Sequence, residues 1–152
     1  MIEVYANLDP QDSARFAKEQ RQDLDEWFSL EEMLKYGVHG SLIEARNNEG
    51  KLVGALYIGM DNPMTWPDGK KAEIFILGTL PTERGKGVGT KLMKEAEEVA
   101  RKMDAKKIMV NTHVLMEADH RFYTHRGYVQ MGVLKEYYGN GDAVFFSKNL
   151  AD

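Results

Sequence analysis

The sequence predicts a mixed α/β (α+β) domain whose elements follow in the order β-α-α-β-β-β-α-β-α-β-β. Two observations predict this class: apolar residues recur at helical spacing in some segments and at strand spacing in others, and turn residues separate these segments. The length of 152 residues suits one domain with a sizeable core. Because no repeat or linker interrupts the pattern, we expect a single domain spanning residues 1–152.

The N-terminal half opens with a predicted strand at residues 2–7. Asp9 and Pro10 then supply the cap and first turn of a helix that reaches about residue 20. Apolar residues at helical spacing predict a second helix that ends at Gly37. Two further strands, joined by a tight turn, and a proline-containing loop complete this half; they occupy residues 41–46, 52–60 and 61–69.

The C-terminal half contains the most apolar strand, at residues 74–80, which is apolar on both faces as a central strand should be. From Val88 onward, apolar residues recur on one helical face. The remaining elements are a short strand, a helix and a closing hairpin around residues 139–141. They are predicted at residues 107–111, 116–126, 128–138 and 143–148.

Composition excludes several classes of function. The sequence has no cysteine, so disulfides, thiolate metal ligands and a cysteine nucleophile are excluded, and no histidine spacing indicates a metal site. The net charge of −4 argues against general nucleic-acid binding, although residues 84–107 carry an excess of basic side chains that suits a polyanionic ligand. No apolar run could span a bilayer and no signal peptide is apparent, so we expect a cytoplasmic protein without a membrane partner.

A glycine-rich segment between a buried strand and a helix predicts an anion-binding site. Glycines leave backbone amides accessible, and a helix start adds unpaired N–H groups and a partial positive charge. A dinucleotide fingerprint would need its third glycine at Thr90, and a P-loop would need Gly-Lys-Ser/Thr, so neither nucleotide motif fits. The predicted anion-binding residues are Arg84, Gly85, Lys86, Gly87, Val88, Gly89 and Thr90.

Two motifs then resemble one family. Arg84, Gly87 and Gly89 fit the pattern Q/R-x-x-G-x-G/A, and residues 120–128 (HRFYTHRGY) are similar to an FYxxxG-aromatic helix-to-strand segment. Both motifs resemble those of the GNAT superfamily of acyl-CoA N-acyltransferases, and the order of elements agrees over nearly the whole chain. The resemblance implies a central, mixed, mostly antiparallel seven-stranded sheet flanked by helices, with acetyl-CoA as cosubstrate. It also implies that the pantetheine arm pairs with Leu77, Gly78 and Thr79.

The resemblance also nominates catalytic residues. Tyr123 corresponds to the tyrosine that protonates the leaving thiolate, and a reference pKa of about 10 keeps a tyrosine protonated at neutral pH. Glu73 corresponds to a glutamate that accepts the amine proton directly or through water; His113 or water alone are the alternatives. Many members carry an asparagine where this chain has Met116, so that cofactor contact is lost or comes from Thr112 or Asp119.

The expected function is N-acetylation of a primary amine by direct attack on acetyl-CoA in a ternary complex. Trp27, Phe28, Trp66 and Tyr138 are the expected walls of the acceptor site. The acceptor is a small-molecule or peptide amine; its identity, the acyl chain preference and the choice between monomer and homodimer stay open. The alternatives are a non-catalytic acyl-CoA-binding or sensing module of the same fold, and an interaction protein with a vestigial pocket.

Overall fold

The computed structural model describes residues 3–5, 40–60 and 70–150, with side chains described for residues 43–59 and 71–150. The two helices predicted between residues 9 and 37 and the loop predicted at 61–69 lie outside the described residues, as do Trp27, Phe28 and Trp66. No helix in the described part of the chain is long and apolar enough to cross a bilayer.

In the described part of the chain, seven strands form one sheet in the order β1-β2-β3-β4-β5-β7-β6. All neighbouring strands are antiparallel except β4 and β5, which are parallel. The prediction of a mixed, mostly antiparallel, seven-stranded sheet is therefore confirmed. The strands are β1 (Glu3–Tyr5), β2 (Gly40–Arg46), β3 (Leu52–Met60), β4 (Lys70–Thr79), β5 (Ala105–His113), β6 (Val129–Leu134) and β7 (Ala143–Asn149).

Two helices follow the two parallel strands. A short 3-10 turn, Pro81–Glu83, leads from β4 into α1 (Val88–Lys102), and α2 (Glu117–His125) follows β5. Both helices start within one residue of the positions predicted for them. This agreement reflects the strength of their local signals, a glycine-rich start for α1 and the FYxxxG-aromatic segment for α2.

Several strand boundaries differ from the prediction: β5 extends two residues further at each end, and the largest differences are in β4 and β6. β4 begins at Lys70, four residues before the predicted start, because its polar first residues pair with β5 through the backbone. The last hairpin turns earlier than predicted: β6 ends at Leu134. Glu136 has a left-handed φ of 54°, and its N–H donates to Asp142 Oδ1 at 2.8 Å, which closes the turn. Neither effect depends on hydrophobic alternation, so the sequence pattern did not reveal them.

The parallel strands β4 and β5 separate partway along the sheet. Their pairing ends at Ile74 and Val110, although β4 continues to Thr79 and β5 to His113. Phe75 is an extra residue in β4, because β3 pairs with Ile74 and then with Ile76. Such a bulge bends a strand and increases its twist. The bulge therefore lies where β4 leaves β5, and a split opens between the carboxyl ends of the two strands.

The hydrophobic core lies between α1 and the sheet. Val88, Leu92 and Met93 are at most 1% exposed and form part of the buried face of α1. Gly54 of β3 permits this contact, since a Cβ at this position would come within 2.6 Å of Val88 Cγ1 and 3.0 Å of Leu92 Cδ1. The start of α1, and with it the glycine-rich segment, is thereby held close to β3.

A buried carboxylate joins α1 to the C-terminal strands. Glu97 of α1 is 6% exposed and accepts two hydrogen bonds of 3.1 Å from the Lys148 ammonium of β7. The Tyr128 hydroxyl donates to the same carboxylate at 3.2 Å. Burying a charge is costly unless it is paired and hydrogen-bonded, and this carboxylate meets both conditions.

Replacing Gly54 by Ala should destabilise the fold by about 1–3 kcal/mol, because the added methyl group overpacks the contact between α1 and β3. Urea unfolding measures the loss. Gly132→Ala is the matched control: a Cβ there meets nothing within 4 Å and its φ is not left-handed, so the change should stay within about 0.5 kcal/mol. Equal losses in both variants would contradict the packing role of Gly54.

Candidate active site

The split between β4 and β5 is the centre of the candidate site. Among the described strands, residues 76–79 of β4 pair with β3 but not with β5, and residues 111 and 112 of β5 pair with β7 but not with β4. The edges that face the split therefore carry backbone N–H and C=O groups that pair with none of the described strands. Leu77, Gly78 and Thr79, the residues expected to pair with an extended ligand, lie on this edge of β4.

The glycine-rich segment that follows β4 has the backbone of an anion site. Gly85 and Gly87 have left-handed φ values of 76° and 82°, a conformation that favours glycine. Gly87 is the N-cap of α1 and, as a glycine, has no side chain that could cap the helix. The first helical hydrogen bond runs from Lys91 N–H to Gly87 O at 3.1 Å. The amides of the first turn are therefore left without helical partners. Arg84, Gly85, Lys86 and Gly87 are all exposed.

Gly89 has a different role from the other two glycines of the motif. Its φ is not left-handed, and a Cβ at this position would lie 3.3 Å from Phe122 Cζ of α2. Arg126, just after α2, donates from Nη2 to Thr90 O at 3.1 Å, and its guanidinium lies over the Phe122 ring at 5.4 Å. These contacts fix α2 against the first turn of α1, so the two sequence motifs form one packed unit.

Tyr123 is buried on the inner side of α2. The residue is 5% exposed and its ring packs against Phe146 of β7 at 5.6 Å and against Tyr128 at 5.9 Å. Burial, together with the charge of Asp119 and the proximity of Tyr138, raises the pKa of the Tyr123 hydroxyl well above its usual value of 10. Tyr123 is therefore a protonated hydrogen-bond donor over the physiological pH range.

Glu73 and Tyr123 approach the split from opposite faces of the sheet. Residues paired across a sheet share a face, so Ile74, Val110 and Phe146 share one face, against which Tyr123 packs. Glu73 directly precedes Ile74 and so points to the other face. On that face lies Tyr137 of the β6–β7 connection, whose pKa is raised mainly by burial and further by the charge of Glu73.

Tyr138 secures the β6–β7 connection to the end of β5. Its hydroxyl donates to Asn111 Oδ1, and its ring stacks on His113 with centroids 5.8 Å apart and planes 14° apart. Burial, Tyr137 and Asp119 raise the pKa of Tyr138 to about 12. Sequence reasoning nominated Tyr138 but missed its partner Asn111, because the two residues are 27 positions apart and no local pattern links them.

The ring of His113 is held in place through its Nδ1 atom. Its ring is 8% exposed, and its Nδ1 accepts a hydrogen bond of 3.1 Å from the Leu115 N–H. The lone pair of Nδ1 is thus occupied, which assigns the proton of the neutral ring to Nε2. Nε2 in turn lies directly against the backbone of Gly141. The arrangement makes His113 a support for the hairpin and for the stacked ring of Tyr138.

The end of β5 also contacts the first turn of α2. Met116, which stands where many family members have asparagine, is the N-cap of α2 and is 43% exposed. Thr112 Oγ1 donates instead to Asp119 Oδ2 at 2.9 Å. Thr112 and Asp119, the two possible substitutes for the missing asparagine, therefore bond to each other beside Tyr123.

The unfolding free energy should fall as pH rises through the titration of Tyr138. Its pKa is raised to about 12 from an unfolded value near 10, so the stabilisation is fully present below pH 10 and is lost between about pH 10 and 12. Urea unfolding of wild type and Tyr138→Phe from pH 8 to pH 12 measures the effect. The decline should be shallower in the variant, which lacks this group; parallel curves would refute the assignment.

The chain matches the model of the Acetyltransferase (GNAT) family over residues 2–128. No protein of curated function matches its sequence. The NatC complex bound to Gag peptide and CoA contains a chain with 22% identity and a TM-score of 0.81, and the alignment covers 99% of each chain.

Two further solved structures are similar. The ribosomal-protein-S18-alanine N-acetyltransferase from Escherichia coli is 15% identical with a TM-score of 0.80, over 100% of this chain and 96% of that one. Arabidopsis thaliana NAA60 in complex with acetyl-CoA is 15% identical with a TM-score of 0.80, over 98% of both chains. Identities this low establish the shared fold only. The family match extends over most of the sequence, and the chain therefore belongs to the GNAT acetyltransferase family.

Proposed function

We propose that this chain is an acetyl-CoA-dependent N-acetyltransferase, organised as a single domain over residues 1–152, that acetylates a primary amine by direct attack in a ternary complex. The observation that carries the proposal is the split between β4 and β5. It has the glycine-rich segment at one end and the protonated hydroxyl of Tyr123 beside it. Membership of the GNAT acetyltransferase family supports the same reaction class.

The proposed cosubstrate fits the open edges of the split. The pyrophosphate would bind the amides of residues 85–90, aided by the charges of Arg84 and Lys86. The pantetheine arm would pair with the free edge of Leu77, Gly78 and Thr79, as an added strand does. Similar structures contain CoA in the NatC complex and acetyl-CoA in NAA60, which supports this choice of ligand.

Acetyl-CoA supplies an activated thioester, so the protein has three tasks: orientation, removal of the amine proton, and protonation of the leaving thiolate. We assign thiolate protonation to Tyr123. We assign proton removal to Glu73, acting through water, since His113 has no free lone pair in this arrangement. The amine nitrogen attacks the carbonyl carbon, the carbon–sulfur bond breaks, and the sulfur takes the proton of the Tyr123 hydroxyl.

The acceptor is proposed to enter the split from the face that carries Glu73, with Tyr138 as one wall, so that its amine lies within the split between Glu73 and Tyr123. Trp27, Phe28 and Trp66 are proposed as further walls. A peptide amine is a reasonable first acceptor, because similar structures include the NatC complex with a bound peptide and an N-acetyltransferase named for a ribosomal protein. A small-molecule amine is the other acceptor class.

Tyr123→Phe should lower kcat by about 10²-fold or more, because loss of a positioned acid or base typically costs about 10²–10⁴-fold. Glu73→Gln should lower kcat to a similar extent, and the loss should shrink at alkaline pH, where more acceptor is already deprotonated. Thiol release from acetyl-CoA over a panel of peptides, polyamines and lysine derivatives measures both effects. Acetyl-CoA affinity in each variant is the control.

The same panel separates the enzyme from a non-catalytic module. A wild-type chain that binds acetyl-CoA but releases thiol only at the background rate with every amine would be a binding or sensing module. A chain that is not stabilised by CoA at all would refute both functions. A binder should gain about 2.7 kcal/mol of stability at a CoA concentration one hundred times its Kd.

Gly87→Ala should weaken CoA binding at least tenfold, because a left-handed backbone costs a non-glycine residue about 1–2 kcal/mol and the strained loop would realign its amides. Gly50→Ala is the matched control: Gly50 also has a left-handed φ, 78°, and open space around its Cβ position, but it lies in the β2–β3 turn. Both variants should lose similar stability in urea unfolding. Only Gly87→Ala should lose CoA affinity in calorimetry.

A further inference from the structure

Asp119 lies where β4 and β5 have separated, at the place that we call the mouth of the split, and its carboxylate forms no ion pair within the described part of the chain. Its Oδ2 accepts a 2.9 Å hydrogen bond from Thr112, two residues beyond the last β4–β5 pair, and Asp119 is half-buried. On α2 it lies four residues, one helical turn, before Tyr123. The carboxylate is thus fixed beside the proposed acid, where the two strands have separated.

No lysine or arginine in the described part of the chain forms an ion pair with Asp119. The two neighbouring histidine rings bond to backbone groups. His120 Nε2 lies 3.1 Å from His113 O and donates to it, and His113 itself is held with Nδ1 as an acceptor. The negative charge of Asp119 also acts on the hydroxyls of Tyr123 and Tyr138, since it adds to the rise in pKa that burial causes in both.

Two other shielded carboxylates of the chain form ion pairs. Glu97 is paired with Lys148, and Glu44, which is 7% exposed, is paired with Arg46 at 2.8 Å. Shielded charges are normally paired, because removing a charge from water is costly. Among the described residues, the side chain that bonds to the Asp119 carboxylate is the neutral hydroxyl of Thr112, so a cationic ligand at the mouth of the split would supply the opposite charge.

We propose that Asp119, held by Thr112, recognises the acceptor amine in its protonated, cationic form, so that the enzyme selects ammonium-bearing acceptors. The inference rests on the proposed function and names the charge class of its acceptor. Lysine-like amines and peptide α-amines, with reference pKa values of about 10.4 and 7.7–8.0, are mainly protonated at pH 7. Their attraction to a carboxylate is strengthened where water is partly excluded. Glu73 would then accept the proton through water.

Asp119→Asn tests the proposal with two acceptors of different charge. The first is n-butylamine, which is protonated at pH 7, and the second is hydroxylamine, which is largely neutral there. The variant should raise KM for n-butylamine at least tenfold and leave KM for hydroxylamine and kcat within about threefold, since hydrogen bonds to charged groups are the strong ones. The asparagine carbonyl can still accept from Thr112, so the fold should be retained.

Glu117→Gln is the matched control, because it removes an exposed acid from the same first turn of α2 and should leave both KM values unchanged. Thr112→Val keeps the Asp119 carboxylate but removes the hydrogen bond that holds it. This variant should raise KM for n-butylamine by a smaller factor than Asp119→Asn does. Calorimetry of n-butylamine binding to the CoA-bound protein gives a readout without turnover. Asp119→Asn should weaken that binding at least tenfold.

The outcomes separate this inference from the proposed function. Equal increases in KM for the two acceptors would indicate a structural role for Asp119 and overturn the inference, as would an unchanged KM for n-butylamine. Both results leave the acetyltransferase activity intact. A wild-type enzyme that uses hydroxylamine but not n-butylamine would also overturn it. A wild-type chain that acetylates neither probe nor any amine of the panel would overturn the proposed function and this inference together.

Discussion

The separation of β4 from β5 beyond Ile74 and Val110 is the constraint on which the rest of this structure depends. Parallel strands in a sheet normally satisfy each other's backbone groups, and here the bulge at Phe75 directs β4 away before that pairing is complete. The freed N–H and C=O groups require water or a ligand, since unpaired polar groups are costly to bury. The interruption of the sheet thus leaves an edge of β4 to which an extended ligand could bond.

The glycines and aromatic residues around the split determine how closely the two helices approach it. Gly54 lets α1 pack tightly on β3, and Gly89 lets Phe122 of α2 approach α1. Arg126 adds a hydrogen bond from the end of α2 to the first turn of α1. Because a methyl group at Gly54 or Gly89 would meet these neighbours, the spacing between the anion-binding segment and Tyr123 depends on the absence of side chains.

The two faces of the sheet carry different chemistry. Tyr123, Asp119 and Thr112 lie on the face covered by the helices, where burial keeps the tyrosine protonated. Glu73 and Tyr138 lie on the other face with the β6–β7 connection. A reaction at the split can therefore use a donor from one face and a proton acceptor from the other, without the two groups neutralising each other. Direct transfer of an acyl group between two bound substrates benefits from such a separation.

Local signals in the sequence determined the order of the described elements, the start of α1 at Val88, the glycine-rich segment before it and the position of Tyr123 on its helix. These features depend on helical periodicity, on glycine conformations and on short motifs, all of which are contained within a few neighbouring residues. Gly85 and Gly87 illustrate this, because a left-handed backbone favours glycine wherever it occurs.

Only the tertiary structure decided where β4 and β5 separate, which faces Glu73 and Tyr123 occupy, and which side chains meet at the mouth of the split. The bond between Tyr138 and Asn111 and the bond between Thr112 and Asp119 join different elements, and strand register brings their partners together. Register depends on pairing between distant segments and on a single bulge, and a one-residue shift would reverse every face. For that reason the sequence nominated the candidate site residues individually, while their arrangement followed from the fold.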